Sequence, residues 1–350
     1  MSHIMTTRST RQTAPTIQNM SWACPVCHGD LDTAHNSLTC KGCSHRYPLV
    51  GELPDFRIDT PAWIDFDHDR QRALHIDAIA RRDGLPAAIL DVFRNSRKFD
   101  EKKSQYRLRQ VLSGINKCDR DMTNWLAPLI HDPALDLGVG PGQFVAAAAR
   151  RGRLVQGIDV SLEWLMVAKH WARSLGMEPM LAGALAERLP LKDGAVRSVI
   201  SYDVIEHVGD QTRYASEIGR VLAPGGTVAM VTPNRYSLSP EPHAHVWGVG
   251  YLPVPWQAKW VKLASGREYS YCRLLSRSEI RRLFRNHAGI DLSVVFPPIS
   301  EEEIAQFSDR KVKLARLYNR VTQSSAAAPI MPFVGAYYRA SGSKPKDPTR

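Results

Sequence analysis

From residue 134 onward, short apolar runs alternate with helix-length amphipathic stretches, the pattern of a parallel sheet wrapped by helices. Strands are predicted at 134–137, 155–159, 179–182, 198–202 and 227–232, with two more at 291–296 and 333–338. That count suits a Rossmann-like α/β fold: a seven-stranded sheet with helices on both faces. Upstream, 73–80, 87–93 and 106–115 carry apolar positions at helical spacing, broken by Gly84-Leu85-Pro86. Residues 301–321 predict a basic amphipathic helix that packs on the domain, with a membrane surface or a partner as the alternative.

Composition narrows the class. The 350 residues are 43% hydrophobic and 23% charged with mean hydropathy −0.29, values of a globular chain long enough for one large domain and an appendage. The pattern has no uncharged run near the roughly 18 to 20 residues of a membrane span, and the start lacks the apolar core of a signal peptide. The expectation is a cytoplasmic protein. Residues 1–5 read as an appended start, and the Thr/Ser/Arg-rich stretch to about residue 20 is expected to be flexible.

A net charge of +11 and a pI near 9.5 allow an acidic partner. The excess is scattered (Arg81-Arg82, 94–103, Arg107 to Arg109, Arg281-Arg282, 310–316) and forms no dominant basic block, which weakens a nucleic-acid reading.

Four of the six cysteines form two CxxC pairs, Cys24/Cys27 and Cys40/Cys43, with twelve residues between the pairs; Cys118 and Cys272 stand alone. Two thiolate pairs on tight turns can close into a tetrahedral S4 cage, which zinc accepts readily, so a structural zinc is expected there. A closed cage has no open coordination position, so this ion would stabilise the ribbon and do no chemistry. With the trailing Tyr47-Pro-Leu-Val-Gly-Glu-Leu-Pro54, the segment resembles the zinc-ribbon activator subunit of certain tRNA and release-factor methyltransferases. It is also similar to the N-terminal zinc module of some ribosomal RNA guanine methyltransferases.

The run Ala134-Leu-Asp-Leu-Gly-Val-Gly-Pro-Gly-Gln-Phe144 sets Asp136, Gly138, Gly140 and Gly142 directly after a predicted strand and before a helix, where glycines let the backbone turn sharply beside a ligand. Asp159 ends the second strand, 21 positions beyond Gly138, where a carboxylate can accept both ribose hydroxyls. The DxGxGxG form resembles class I S-adenosylmethionine-dependent methyltransferases, the broad group related to ubiquinone and menaquinone pathway enzymes. Ala186-Glu-Arg-Leu-Pro190, Ser198-Val-Ile-Ser-Tyr-Asp-Val-Ile-Glu-His-Val208 and Arg220-Val-Leu-Ala-Pro-Gly-Gly226 extend the resemblance in order and spacing. It implies S-adenosylmethionine as cofactor, with Val160, Ala186, Glu187 and Tyr202 joining the glycines and the two aspartates at its site. Where the family often has an acidic residue for the adenine amino group, this chain has Leu185.

Asp203, Glu206 and His207 follow the fourth strand, and His243 and His245 lie in a Pro/Trp-rich insertion. This arrangement is similar to ubiquinone-pathway O-methyltransferases and plant-type small-RNA 2'-O-methyltransferases, in which E-x-x-E-H and a later His bind a divalent cation. The resemblance implies Asp203, Glu206, His207 and one of His243 or His245 as ligands of a cation such as Mg2+ at the acceptor site. The alternatives are His207 as a general base without metal and a structural Glu-His pair. The aromatic residues of 236–271 are expected to line the acceptor pocket, with a small satellite core as the competing reading.

The expected organisation is a flexible start (1–20), zinc ribbon (21–59), helical cap (60–131), methyltransferase domain (132–340, with an acceptor-site insertion at 236–275) and polar tail (341–350). The leading functional expectation is O-methylation of a small-molecule or lipid-like acceptor. The competing ones are an RNA methyltransferase gripping its substrate through the ribbon, and a non-catalytic partner of another methyltransferase. The acceptor and oligomeric state are not readable from the sequence.

Overall fold

A computed structural model describes residues 22–34, 36–61, 63–96, 99–270, 272–305, 309–322, 324, 326 and 329–346. The expected flexible start lies outside the described residues.

Four short antiparallel strands come first: β1 (Leu31–Ala34), β2 (Ser37–Cys40), β3 (Arg46–Val50) and β4 (Leu53–Pro54), paired in that order. Three helices follow: α1 (Phe66–Asp83), α2 (Leu85–Asn95) and α3 (Glu101–Thr123). Asp65 starts α1 by accepting the amides of Asp67 and His68. Gly84, at φ +85°, ends α1 and lets Leu85-Pro86 open α2, so the predicted break is a sharp corner between two helices.

The large sheet is built from β5 (Ala134–Leu137), α4 (Gln143–Arg150), β6 (Val155–Asp159), α5 (Leu162–Ser174), β7 (Met180–Gly183), β8 (Val196–Tyr202), α6 (Gln211–Val221) and β9 (Leu222–Pro233). The insertion contributes α7 (Val254–Ser265). The chain then adds α8 (Arg277–His287), β10 (Ser293–Val295), α9 (Glu301–Ile304), α10 (Asp309–Thr322), α11 (Met331–Val334) and β11 (Tyr337–Ser343). Strand order is β10-β11-β9-β8-β5-β6-β7, parallel from β9 to β7, with β10 and β11 antiparallel.

The expected sheet is present, with two differences in its later strands. The stretch predicted as strand at 333–338 begins as the end of α11, and the strand runs instead to Ser343, into the expected polar tail. β9 starts at Leu222, ahead of Pro224-Gly-Gly226, because Leu222 pairs with Val196 before a register shift resumes the ladder at Ser198–Thr227.

Alternation along the strands splits the core in two. Ala134, Val155 and Leu181 pack under α1 to α5, whereas Leu135, Leu137, Ile158 and Met230 pack under α6 and α8. The second core also takes in Leu38, Tyr47 and Phe56, so the ribbon packs on the sheet. The amide of Phe56 donates to Gly183 O (2.7 Å) and that of Ala23 to Pro190 O (2.8 Å), which fastens the ribbon along β7, the edge of the sheet.

The chain leaves β5 toward β6 and β7 and returns on the other side at β8. The crevice between β5 and β8, at the carboxyl ends of the strands, is therefore the topological switch point where such sheets bind ligands.

Candidate active site

A cleft of about 1160 Å3 opens at that switch point. The Gly138–Gly142 turn forms one wall. Gly138, at φ +89°, admits no side chain: a Cβ there would sit 2.1 Å from Val204 Cγ2. At Gly142 a Cβ would meet Ala168 of α5 at 2.5 Å, so this glycine brings α4 and α5 together behind the site. The amide of Gly140 donates to Asp159 Oδ2 and that of Ser161 to Asp159 Oδ1, both at 2.8 Å, which locks the carboxylate at the end of β6.

Asp136 carries the strongest sign of an intended ligand. It is 4% exposed and its Oδ2 has no hydrogen-bond partner in the protein. An orphaned buried carboxylate oxygen is costly unless something arrives to satisfy it. Burial, and after it the neighbouring Asp159, push its carboxyl up to about 8. Burial also raises Asp159, outweighing the amides that favour its charged form. The pair suits a ligand offering a cationic amine and hydroxyl donors, the chemistry of an amino acid joined to a ribose.

The expected residues divide by placement. Asp136, Gly138, Gly140, Asp159, Val160, Ala186, Glu187, Tyr202, Asp203, His207 and His243 line the cleft, while Gly142, Glu206 and His245 do not. Glu206 is 1% exposed, lies behind the wall and accepts from Thr232 Oγ1 (3.0 Å). Burial, with Asp203 second, pushes its carboxyl up to about 8. Asp203 holds the left-handed backbone region at φ +54°, a conformation costly for a non-glycine residue, as β8 turns into the His207 loop. Glu187 accepts the amides of Gly209 and Asp210, which ties down the far end of that loop.

Elsewhere in the cleft, the rings of His207 and His243 meet edge-to-face at 4.6 Å. His243 Nδ1 lies 2.6 Å from Glu241 Oε1 and 3.3 Å from Cys272 Sγ. Glu241 and Cys272 were not expected. Cys272 carried a weak signal, as one of two cysteines outside the CxxC pairs, and Glu241 carried none. The insertion's aromatics mostly turn outward. Trp247, Trp256 and Trp260 are 60%, 65% and 38% exposed, and Tyr269 is the one aromatic of the insertion that lines the cleft among the described residues.

A buried ionic network behind the cleft was also missed. The Arg57 side chain, 0% exposed, donates to both oxygens of Asp55 (2.7 and 2.9 Å), to Asp69 (2.6 Å) and to the carbonyl of Val160 (2.7 Å). Asp69 in turn accepts from the amide of Leu162 and the hydroxyl of Ser161. Burial raises the Asp55 carboxyl, but Arg57 and Arg70 outweigh it and hold it below the usual range. The segment leaving the ribbon thus reaches the loop that carries Asp159.

In the ribbon, the sulfurs of Cys24, Cys27, Cys40 and Cys43 all lie within 4.8 Å of one another. Cys27 and Cys40 are 3.3 Å apart, Cys24 and Cys43 3.5 Å. Around one zinc, sulfurs at the usual bond length would stand about 3.8 Å apart. The amide of Val26 points at Cys24 Sγ, and those of Gly42 and Cys43 point at Cys40 Sγ, the setting that stabilises thiolates. The donor set fits a closed S4 site.

Comparison with known proteins agrees with both parts. A family described as "Methyltransferase domain" matches residues 135–230, and one described as "Trm112p-like protein" matches residues 23–52. The chain is 25% identical over 212 residues to a ubiquinone biosynthesis O-methyltransferase of Bartonella bacilliformis, covering 60% of this chain and 80% of that protein. It is 41% identical over 106 residues to a probable S-adenosylmethionine-dependent methyltransferase of Mycolicibacterium smegmatis, covering 30% of this chain and 40% of that one. Among solved structures it is similar to phosphoethanolamine N-methyltransferase 2 of Haemonchus contortus in complex with S-adenosyl-L-methionine (20% identity, TM-score 0.41). That match covers 65% of this chain and 52% of the nematode enzyme, so the chain spans about half of it. Another is a complex of the Haloferax volcanii Trm112 methyltransferase activator with a putative methyltransferase (19% identity, TM-score 0.41, 67% of this chain and 97% of that one). The glycine turn and paired aspartates fall inside the first family match and the four cysteines lie within the second, and the chain is a class I S-adenosylmethionine-dependent methyltransferase with a Trm112-like ribbon ahead of its sheet.

Proposed function

We propose that this enzyme moves the methyl group of S-adenosylmethionine to a hydroxyl oxygen of a small, partly apolar acceptor, and that its ribbon holds a structural zinc. The observation that carries the reading is the orphaned Asp136 carboxylate, set beside Asp159 in a cleft whose other end holds His207 and His243.

The sulfonium supplies an activated methyl group. The protein's part is alignment, because displacement at a sulfonium disperses charge in the transition state and needs little electrostatic help there. Asp136 takes the ammonium of the cofactor's amino-acid end, and Asp159 accepts its ribose hydroxyls. The Gly138–Gly140 backbone allows close approach, and Ala186 and Glu187 border the adenine. At the end of the cleft that holds His207 and His243, the acceptor's hydroxyl gives up one proton to solvent as the oxygen attacks in line.

The ribbon acts on its own domain. It buries part of the core and, through Asp55 and Arg57, holds the Val160-Ser161 loop that follows Asp159. Scattered positive charge favours a small acceptor over RNA.

Calorimetry with S-adenosylmethionine, then release of S-adenosylhomocysteine across a set of phenols, alcohols, amines and transfer RNA, tests the reading. Methylation of hydroxyl acceptors is expected. Turnover on RNA with a steep loss of binding as salt rises would replace the small-acceptor reading, and failure of the wild type to bind the cofactor would overturn it altogether.

A further inference from the structure

The structure gathers a second group of metal-binding side chains, separate from the ribbon. We infer that His207, His243 and Cys272 form a site for one borderline-soft divalent cation, with zinc the best fit, at the acceptor end of the cleft. One ligand atom from each lies within 4.8 Å of the other two, and all three residues line the cleft.

The donor chemistry decides the class of ion. Two imidazoles and a thiolate suit zinc, whereas magnesium prefers six oxygens and keeps its waters. The oxygen-rich set that the family resemblance implied is not assembled here: among the described residues neither Asp203 nor Glu206 joins the group, and Glu206 is instead held behind the wall by Thr232. Cys272, 65 residues beyond His207, takes their place.

The support around the ligands points the same way. Glu241, whose side chain is 2% exposed, sets Oε1 2.6 Å from His243 Nδ1, while its Oε2 accepts the amides of His243 and Ala244. A carboxylate locked by backbone amides and pressed against Nδ1, the nitrogen that also faces Cys272 Sγ, fixes that ring's tautomer and angle and leaves its Nε2 for an ion. Cys272 and His207 come from two other segments, the one leading into α8 and the loop after β8, so the group closes only in the folded chain.

Three protein ligands leave a tetrahedral ion one open position. A closed site such as the ribbon's is structural, whereas an open one is the arrangement of catalytic zinc. The open position would take the acceptor's oxygen or sulfur and lower the pKa of its proton, so that the attacking atom is already anionic when it meets the methyl group. This role rests on the methyltransferase reading above; the presence of the ion does not.

Metal analysis of the purified full-length protein, loaded with zinc and desalted, is the test. Two zinc ions per chain are expected in the wild type, one in Cys272→Ser and one in His243→Ala. His245→Ala, altered at an exposed histidine outside the cleft, should keep two. Cobalt in place of zinc should give thiolate-to-metal absorption that weakens by about a fifth in Cys272→Ser, four of five thiolates remaining. Melting curves establish that each variant is folded. If Cys272→Ser misfolds, Cys272→Ala and the cobalt spectrum of His243→Ala decide instead. One zinc per chain in the wild type, or two in every folded variant, overturns the site. If S-adenosylmethionine fails to bind while the metal count stays at two, the methyltransferase reading falls and the metal site stands.

Discussion

The ribbon and the His207–His243 end of the cleft both hold cysteine, and they hold it in opposite ways. In the ribbon four sulfurs face one another, backbone amides point at them, and Cys24 and Cys40 are buried. At the cleft a single sulfur meets two imidazoles on a surface open to a ligand. The first arrangement is complete in itself and can only hold structure. The second lies on the wall of a cleft, where a ligand can reach it. The same contrast separates carboxylates: Asp55 is fully paired with Arg57 and Arg70, whereas Asp136 has an oxygen with no partner. Asp55 thus serves the scaffold, and Asp136 is left for a ligand.

The largest effect should come from breaking the complete cage. Cys40→Ser should abolish zinc binding by the ribbon and lower the melting temperature by on the order of 10 °C, since metal binding and folding of such modules are one process. A melt within 2 °C of wild type would mean that the ribbon does not need its ion.

Next is the ionic hub. Arg57→Ala leaves Asp69 buried without its guanidinium and Asp55 with Arg70 alone, which should cost about 3 to 5 kcal/mol in denaturant unfolding. It should also weaken S-adenosylmethionine binding, because the Val160 carbonyl loses its donor. Loss of stability with unchanged cofactor affinity would show that the ribbon does not reach the site.

The unsatisfied side of the contrast gives smaller changes in stability and sharper ones in function. Asp159→Ala should weaken cofactor binding about 100-fold or more, the loss of two charge-assisted hydrogen bonds, with the melt nearly unchanged. A tenfold loss or less, measured by calorimetry, would remove Asp159 from the ribose.

The last prediction concerns Asp136. Its folded carboxyl titrates near 8, well above an unfolded aspartate, so the protonated form fits the fold and stability is lost as pH rises through about 8. The cofactor's ammonium favours the ionised form. Affinity should therefore improve as pH climbs toward 8, and binding near neutrality should release a proton, visible in buffers of different ionisation enthalpy. Asp136→Asn should remove that proton release, weaken binding and raise the melting temperature by about 1 to 3 °C at pH 8.

Much of this was legible because it is local. β5 and β6 have the predicted bounds, since a buried parallel strand must be a short apolar run and the residues after it must turn. The CxxC spacing and the DxGxGxG turn carry their chemistry within a dozen residues. What escaped depends on contacts between distant segments. Cys272 meets His243 across 29 residues, and Arg57 meets Val160 across 103, with no periodic signal on either side. β11 was misjudged because alternation in Tyr338 and Ala340 is the whole of its buried pattern, while the apolar run before it folds as a helical turn. The tryptophans of the insertion were read as pocket lining because sequence gives amphipathic character but not which side faces the site.

Because the ribbon and the sheet it presses against are covalently continuous, their association does not depend on how dilute the protein is. A separate ribbon subunit must be present above its dissociation constant to stay docked, whereas a tethered one sees an effective concentration on the order of millimolar. Its supply can never fall out of step with that of the domain it braces. One transcript delivers both halves in equal number, and damage to the four sulfurs would be felt by the attached crevice alone.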